Sequence, residues 1–174
     1  MRTRNKLVLI LNPLVYLLFI LPVRQLDLFK ENYSTLSLNT RGYLYLLFLG
    51  IITGGLMGYE TSCFAQKKRG LSLFASMLIG TIIPHHVPYD IQGNLHLIFG
   101  YLGFFGLLSI TYLNVFEYGD RRLMNLYLIG VLISILLYVR YQMVTTLFEV
   151  IIMADCMFVN MYLYLKKFAS AHVR

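Results

Sequence analysis

The sequence predicts an all-α, polytopic membrane protein: a compact bundle of six transmembrane helices with both termini cytoplasmic. Two observations carry this expectation. Hydrophobic residues make up 58% of the 174 residues and charged residues only 13%, too little polar material to cover the exterior of a water-soluble fold. The apolar residues are also gathered into six long runs, each near the roughly 20 residues that cross about 30 Å of hydrocarbon as a helix.

The placement of charge then orients the bundle. Eleven of the 15 lysines and arginines fall before helix one (Arg2, Arg4, Lys6), between helices two and three (Lys67, Lys68, Arg69), between four and five (Arg121, Arg122), or after six (Lys166, Lys167, Arg174). The alternating gaps hold only Arg24, Lys30, Arg41 and Arg140. Basic loops stay on the cytoplasmic side, so both ends are expected there. The net charge of +7 thus reflects topology and contact with anionic lipid rather than nucleic acid. No phosphate-binding or dinucleotide fingerprint is present, and no cofactor is expected.

The spans are expected at about 6–23, 42–60, 70–88, 92–114, 122–140 and 142–165, as one transmembrane domain. Helix one follows three basic residues as a signal peptide would, but no small-x-small cleavage pattern follows Pro22, and Asn12-Pro13 interrupts its core; it is expected to be an uncleaved span with a kink. The loop that follows, about 24–41, is the longest connection, read as a hydrated loop or a short interfacial element. Helix two carries Gly50, Gly54 and Gly58 at four-residue spacing, and helix four carries Gly100, Gly103 and Gly106. Both rows suit close helix packing or, alternatively, room for a lipid tail or small ligand. With 14 tyrosines, 12 phenylalanines and no tryptophan, any aromatic belt must be built from tyrosine. Cys63 and Cys156 lie in different regions and make no disulfide framework.

The polar residues that the bilayer makes costly are the candidate functional ones. Glu149 and Asp155 lie inside helix six, Glu149 toward the outer surface and Asp155 near the middle. Six residues of helix put them about 120° apart, so they are poor partners for one carboxylate dyad. Arg140 and His96 are the expected neighbours of Glu149, and Ser134, Ser109 or Tyr112 those of Asp155. The second outer loop holds His85, His86 and Asp90, and these with His96 and Glu149 form a candidate outer-rim site. Imidazole and carboxylate are the donors a zinc-like ion needs, which makes His85, His86 and His96 the candidate metal ligands, although no known metal spacing is matched.

The segment Ile79-Gly80-Thr81-Ile82-Ile83-Pro84, followed after the outer loop by His96 at the opening of Ile98-Phe99-Gly100-Tyr101-Leu102-Gly103-Phe104-Phe105, resembles the DRAM-type family of six-helix integral membrane proteins. There, too, a helix ends near a proline and a histidine opens the next. The resemblance implies a regulatory or lipid-associated role, and it does not account for His85 and His86.

Three functional readings follow. The leading one is a non-enzymatic protein of the cell membrane that binds a lipid or small hydrophobic ligand, or regulates a membrane partner. The second is an intramembrane enzyme with an outer-side His/Glu site, with His96 or His85 as base and Glu149 orienting it. The third is a small proton-coupled transporter using Asp155. Membrane lipids are the expected partners, with a second copy of the chain or another membrane protein as further candidates.

Overall fold

The computed structural model describes residues 3–64, 67–83 and 91–170. Within them the fold is all-α. The helices are α1 (Thr3–Ile20), α2 (Thr40–Ser62), α3 (Lys67–Ile82), α4 (Ile91–Tyr118), α5 (Arg121–Tyr141) and α6 (Thr146–Ser170), with two short 3-10 helices, Leu21–Gln25 and Tyr33–Leu38, between α1 and α2.

Five stretches are long and apolar enough to cross a membrane: Lys6–Gln25, Thr40–Ser62, Asn94–Tyr118, Arg121–Tyr141 and Thr146–Lys167. Their outward faces carry large apolar side chains; α5 alone exposes Leu128, Ile129, Leu132, Leu136 and Val139. Water would not tolerate that surface, and lipid is its natural solvent. The chain is therefore a multi-pass membrane protein in contact with lipid, in keeping with residence in the cell membrane. The third expected span, 70–88, is the exception. The helix occupies Lys67–Ile82, and its 16 residues rise about 24 Å, short of the hydrocarbon thickness. The remaining expected residues, 84–88, lie outside the described residues.

α6 is the hub, packing against α1, α2, α4 and α5 and burying Ile152, Cys156, Met157, Val159, Leu163 and Tyr164. α3 lies between α2 and α4, where small residues set the spacing. A Cβ at Gly70 would fall 2.5 Å from the carbonyl oxygen of Gly58, and one at Gly80 would fall 3.2 Å from the backbone nitrogen of Gly100. Only hydrogen fits at the first crossing, and at the second a methyl group would be tight.

The helix ends follow local chemistry. Asn39 accepts from Gly42 N at 2.7 Å to start α2, and Asp120 accepts from Leu123 N at 2.9 Å to start α5. That backbone hydrogen bond, with help from Lys166, holds the Asp120 carboxyl below its usual range. α5 stops at Gln142, which takes a left-handed conformation with φ of 56° and returns its N–H to Tyr138 O. Helix six therefore starts at Thr146 instead of 142, with residues 142–145 spent on the turn.

The loop after α1 is not a free loop. It folds back across the bundle and clasps the start of α6. Thr146 N donates to Glu31 O at 2.6 Å and Leu147 N to Leu28 O at 3.1 Å, filling acceptor needs that a helix N-terminus always has. The 3-10 helix Tyr33–Leu38 buries Tyr33 and Leu36. Tyr33 stacks on Phe19 with ring centroids 4.3 Å apart and donates its hydroxyl to Phe19 O. Burial raises the Tyr33 phenol well above its ordinary range, so the group stays protonated as that donor.

Candidate functional site

Because the loop between α1 and α2 returns onto the bundle, it roofs a space that the helices leave open. A cavity of about 200 Å³ lies beneath the 3-10 helix Tyr33–Leu38, between α2, α3, α4 and α6. Its polar lining residues are grouped at the loop end: Ser34 and Ser37 from the 3-10 helix, Thr81 from the end of α3, His96 from the start of α4, and Glu149 from the first turns of α6. Further in, the walls are Leu49, Met77, Phe104, Leu107, Ile152 and Met153, with Thr53 the one hydroxyl at depth. The cavity is thus amphipathic along its length.

Glycine supplies part of the space. Gly50, Gly80, Gly100 and Gly103 all line the cavity, yet they differ in what surrounds them. A Cβ on Gly50 would meet the Thr81 side chain at 2.6 Å, whereas a Cβ on Gly100 would meet nothing within 4 Å. The glycine row of helix two is chiefly a packing seam, since Gly54 and Gly58 lie against Phe74. On helix four, Gly103 packs against the α3 backbone at Met77, and Gly100 opens room.

The rim is tied together by hydrogen bonds. Glu149 Oε2 accepts from Tyr33 N at 2.7 Å, across 116 residues of sequence. His96 Nδ1 lies 2.6 Å from Ile83 O, and Nε2 lies 2.8 Å from Ser34 Oγ. A carbonyl can only accept, so Nδ1 carries the proton; in the neutral ring Nε2 then accepts from the Ser34 hydroxyl. Ser37 donates to Ser34 O at 2.7 Å, and Thr81 donates to Leu78 O at 2.9 Å.

His96 and Glu149, paired on depth in the sequence, therefore do line one cavity. The expected geometry between them is revised: the His96 nitrogens engage Ser34 and Ile83, and Glu149 engages Tyr33. Arg140 is exposed, and among the described residues no ion pair joins it to Glu149. His85, His86 and Asp90 lie outside the described residues. Among the described residues, no three of His, Cys, Asp and Glu are grouped to hold a metal ion.

Asp155 faces elsewhere, as its helical position relative to Glu149 implies. Its carboxylate lies against α5 at Gly130, where a Cβ would come 2.5 Å from Oδ2. Oδ2 is buried with no hydrogen-bond partner among the described residues. Ser134, an expected partner, uses its hydroxyl on Gly130 O at 3.0 Å.

Sequence reasoning missed the other buried acid. Glu60 in α2 is fully buried and accepts from Asn12 Nδ2 of α1 at 2.5 Å. Both are polar residues inside adjacent apolar helices, and that was the available signal. It also missed Ser34, Ser37, Thr53 and Thr81. Hydroxyls of this kind carry no signal until the loop is seen to fold back.

Comparison of the chain with protein-family models, curated proteins and solved structures finds no match. The fold and the site define the class, a multi-pass membrane protein with an amphipathic cavity at one end of its helix bundle.

Proposed function

We propose that this protein is a non-enzymatic membrane protein that binds a small amphiphile in the cavity beneath its first outer loop. The observation that carries the reading is the grading of the lining, from Ser34, His96 and Glu149 at the loop end to Leu107, Ile152 and Met153 below. Such a site suits a ligand with a polar head and an apolar body, because each end would be matched without leaving buried polar groups unpaired. The volume, about 200 Å³, is somewhat above that of a protein cavity of about 150 Å³ known to take benzene. It has room for one short chain or ring, not for a two-tailed lipid.

The reading is tested with the full chain in phosphatidylcholine nanodiscs and a fluorescent single-chain probe. Gly100→Trp fills open space and should abolish probe binding while the helix content and thermal transition are kept. Unchanged binding by that variant would sink the reading.

The orientation belongs to the same proposal. α3 serves as a third, short span, and both termini are cytoplasmic; the eleven basic residues on one side against four on the other support this. A cysteine introduced within 84–92 should react with an impermeant reagent on intact cells, and protection there with labelling at 121–122 would reverse the orientation. The lipid-associated role implied by the resemblance to the DRAM-type family agrees with this proposal.

One contact favours a second reading, an acyl hydrolase in which Ser34 replaces Glu149 as the partner of His96. Ser34 Oγ would attack an ester carbonyl, its proton passing to His96 Nε2 and then to the departing alcohol, and water would release the acyl group. Covalent labelling of Ser34 by a fluorophosphonate, lost in His96→Ala, would favour it over simple binding. Absence of labelling would remove it.

A further inference from the structure

We infer that the occupant of this cavity is a single-chain amphiphile with a protonated amine as its head, seated against Glu149. The inference rests on the cavity being a ligand site, and it adds the chemistry that the site selects.

The first argument is charge. Among the described lining residues Glu149 is the only carboxylate, and none is a lysine or arginine. Residues 84–90, between α3 and α4 in the sequence, contain no lysine or arginine. An anionic head would therefore meet a carboxylate with no cation to offset it. A cationic head would find a counter-charge in a partly desolvated site, where such attraction is stronger than in water.

The second argument is the inventory of protons. The Ser34 hydroxyl is used on His96 Nε2 at 2.8 Å, and the Nδ1 proton on Ile83 O at 2.6 Å. Ser37 and Thr81 donate to backbone carbonyls of their own helices, and Tyr33 N donates to Glu149 Oε2. What the rim can still offer is lone pairs, above all those of Glu149 Oε1, which accepts no hydrogen bond among the described residues. A rim of acceptors calls for a donor-rich head, and an ammonium group brings three donors and no acceptor. The apolar chain would then run toward Leu107 and Ile152, with Gly100 leaving space beside it.

The same chemistry occurs on a free long-chain amine and on an amine-bearing lipid headgroup, and the experiment separates them. The full chain in phosphatidylcholine nanodiscs is loaded with the fluorescent probe and challenged with octylamine, octanol and octanoate, matched in chain length. Octylamine should displace the probe at least about tenfold more tightly than octanol, and octanoate should be weakest. Glu149→Gln, which keeps an acceptor for Tyr33 N, should weaken octylamine by about 10- to 100-fold, as expected for loss of a charge-assisted hydrogen bond. Octanol should be weakened much less than octylamine, and retained helix content and thermal transition show that the variant is folded. Displacement by added lysophosphatidylethanolamine, which has a single chain, would assign the head to a lipid, and displacement by octylamine alone to a free amine. The inference fails if octylamine binds no better than octanol, or if Glu149→Gln leaves its affinity intact. A preference for octanoate would show that His96 itself carries positive charge, and would also overturn it. Should none of the three displace the probe, and Gly100→Trp leave it bound, the cavity reading fails instead.

Discussion

Gly70→Ala tests the helix packing most sharply. Gly70 lies in the first turn of α3, and a Cβ there would sit 2.5 Å from Gly58 O, 2.9 Å from Ser62 Cβ and 3.0 Å from Ser62 N. Ordinary carbon–oxygen contact begins near about 3.3 Å, so α2 and α3 would have to part by roughly 0.8 Å. Two of the three obstructing atoms are backbone and cannot swing aside. Overpacking of this kind costs about 1–3 kcal/mol. Gly100→Ala is the matched control, since its Cβ would meet nothing within 4 Å. Both sites are helical, so the gain in helix propensity, up to about 1 kcal/mol, largely cancels between them. Equilibrium unfolding of both variants in the same mixed micelles should show Gly70→Ala less stable than Gly100→Ala by about 1–3 kcal/mol. A difference below about 0.5 kcal/mol would mean that the α2–α3 crossing is looser than described.

Two further predictions concern polar groups. Asn12→Leu leaves the Glu60 carboxyl buried without its donor and should cost about 1–3 kcal/mol; adding Glu60→Leu should recover part of the loss, and strict additivity in that double-mutant cycle would show the two side chains to be independent. Asp120 gives a dependence on pH. Its carboxyl is held below its usual range by the Leu123 N–H and by Lys166, 3.7 Å away, so its contribution is fully present above the unfolded-state value and is lost as pH falls through the lower folded-state value. Unfolding followed from about pH 6 to about pH 3 should show a steeper loss for the native chain than for Asp120→Ala. Identical slopes would remove the capping role.

What could be read from the sequence was whatever a bilayer imposes locally. Runs of apolar residues announce helices because every backbone group must be satisfied within the segment, and the six-residue spacing of Glu149 and Asp155 separates them around α6 whatever they touch. The short α3 was less legible: 70–88 carries no lysine, arginine, aspartate or glutamate, and composition alone does not say where a helix stops before a proline. The equivalence of the glycines misled in another way. Gly70 and Gly100 look alike in a helix, and only the neighbouring backbone decides that one closes a seam and the other opens a cavity.

The roof of the cavity was the least legible element, because it depends on pairings that no local pattern encodes, above all Tyr33 N with Glu149 and Thr146 N with Glu31 O. That same long-range pairing bears on function. Glu149 spends one oxygen on holding the loop and also lines the cavity, so the group proposed to receive the ligand head also fixes the lid above it. A cation at Oε1 would draw electron density from the carboxylate and weaken its acceptance at Oε2, which couples occupancy to the hold on Tyr33–Leu38. Hydrogen exchange at the Tyr33 amide reports that coupling directly. Exchange there should change when octylamine binds, while the Leu123 amide, held by Asp120 at the start of α5, should not respond; equal responses at both would indicate a general change in stability rather than a linkage through Glu149.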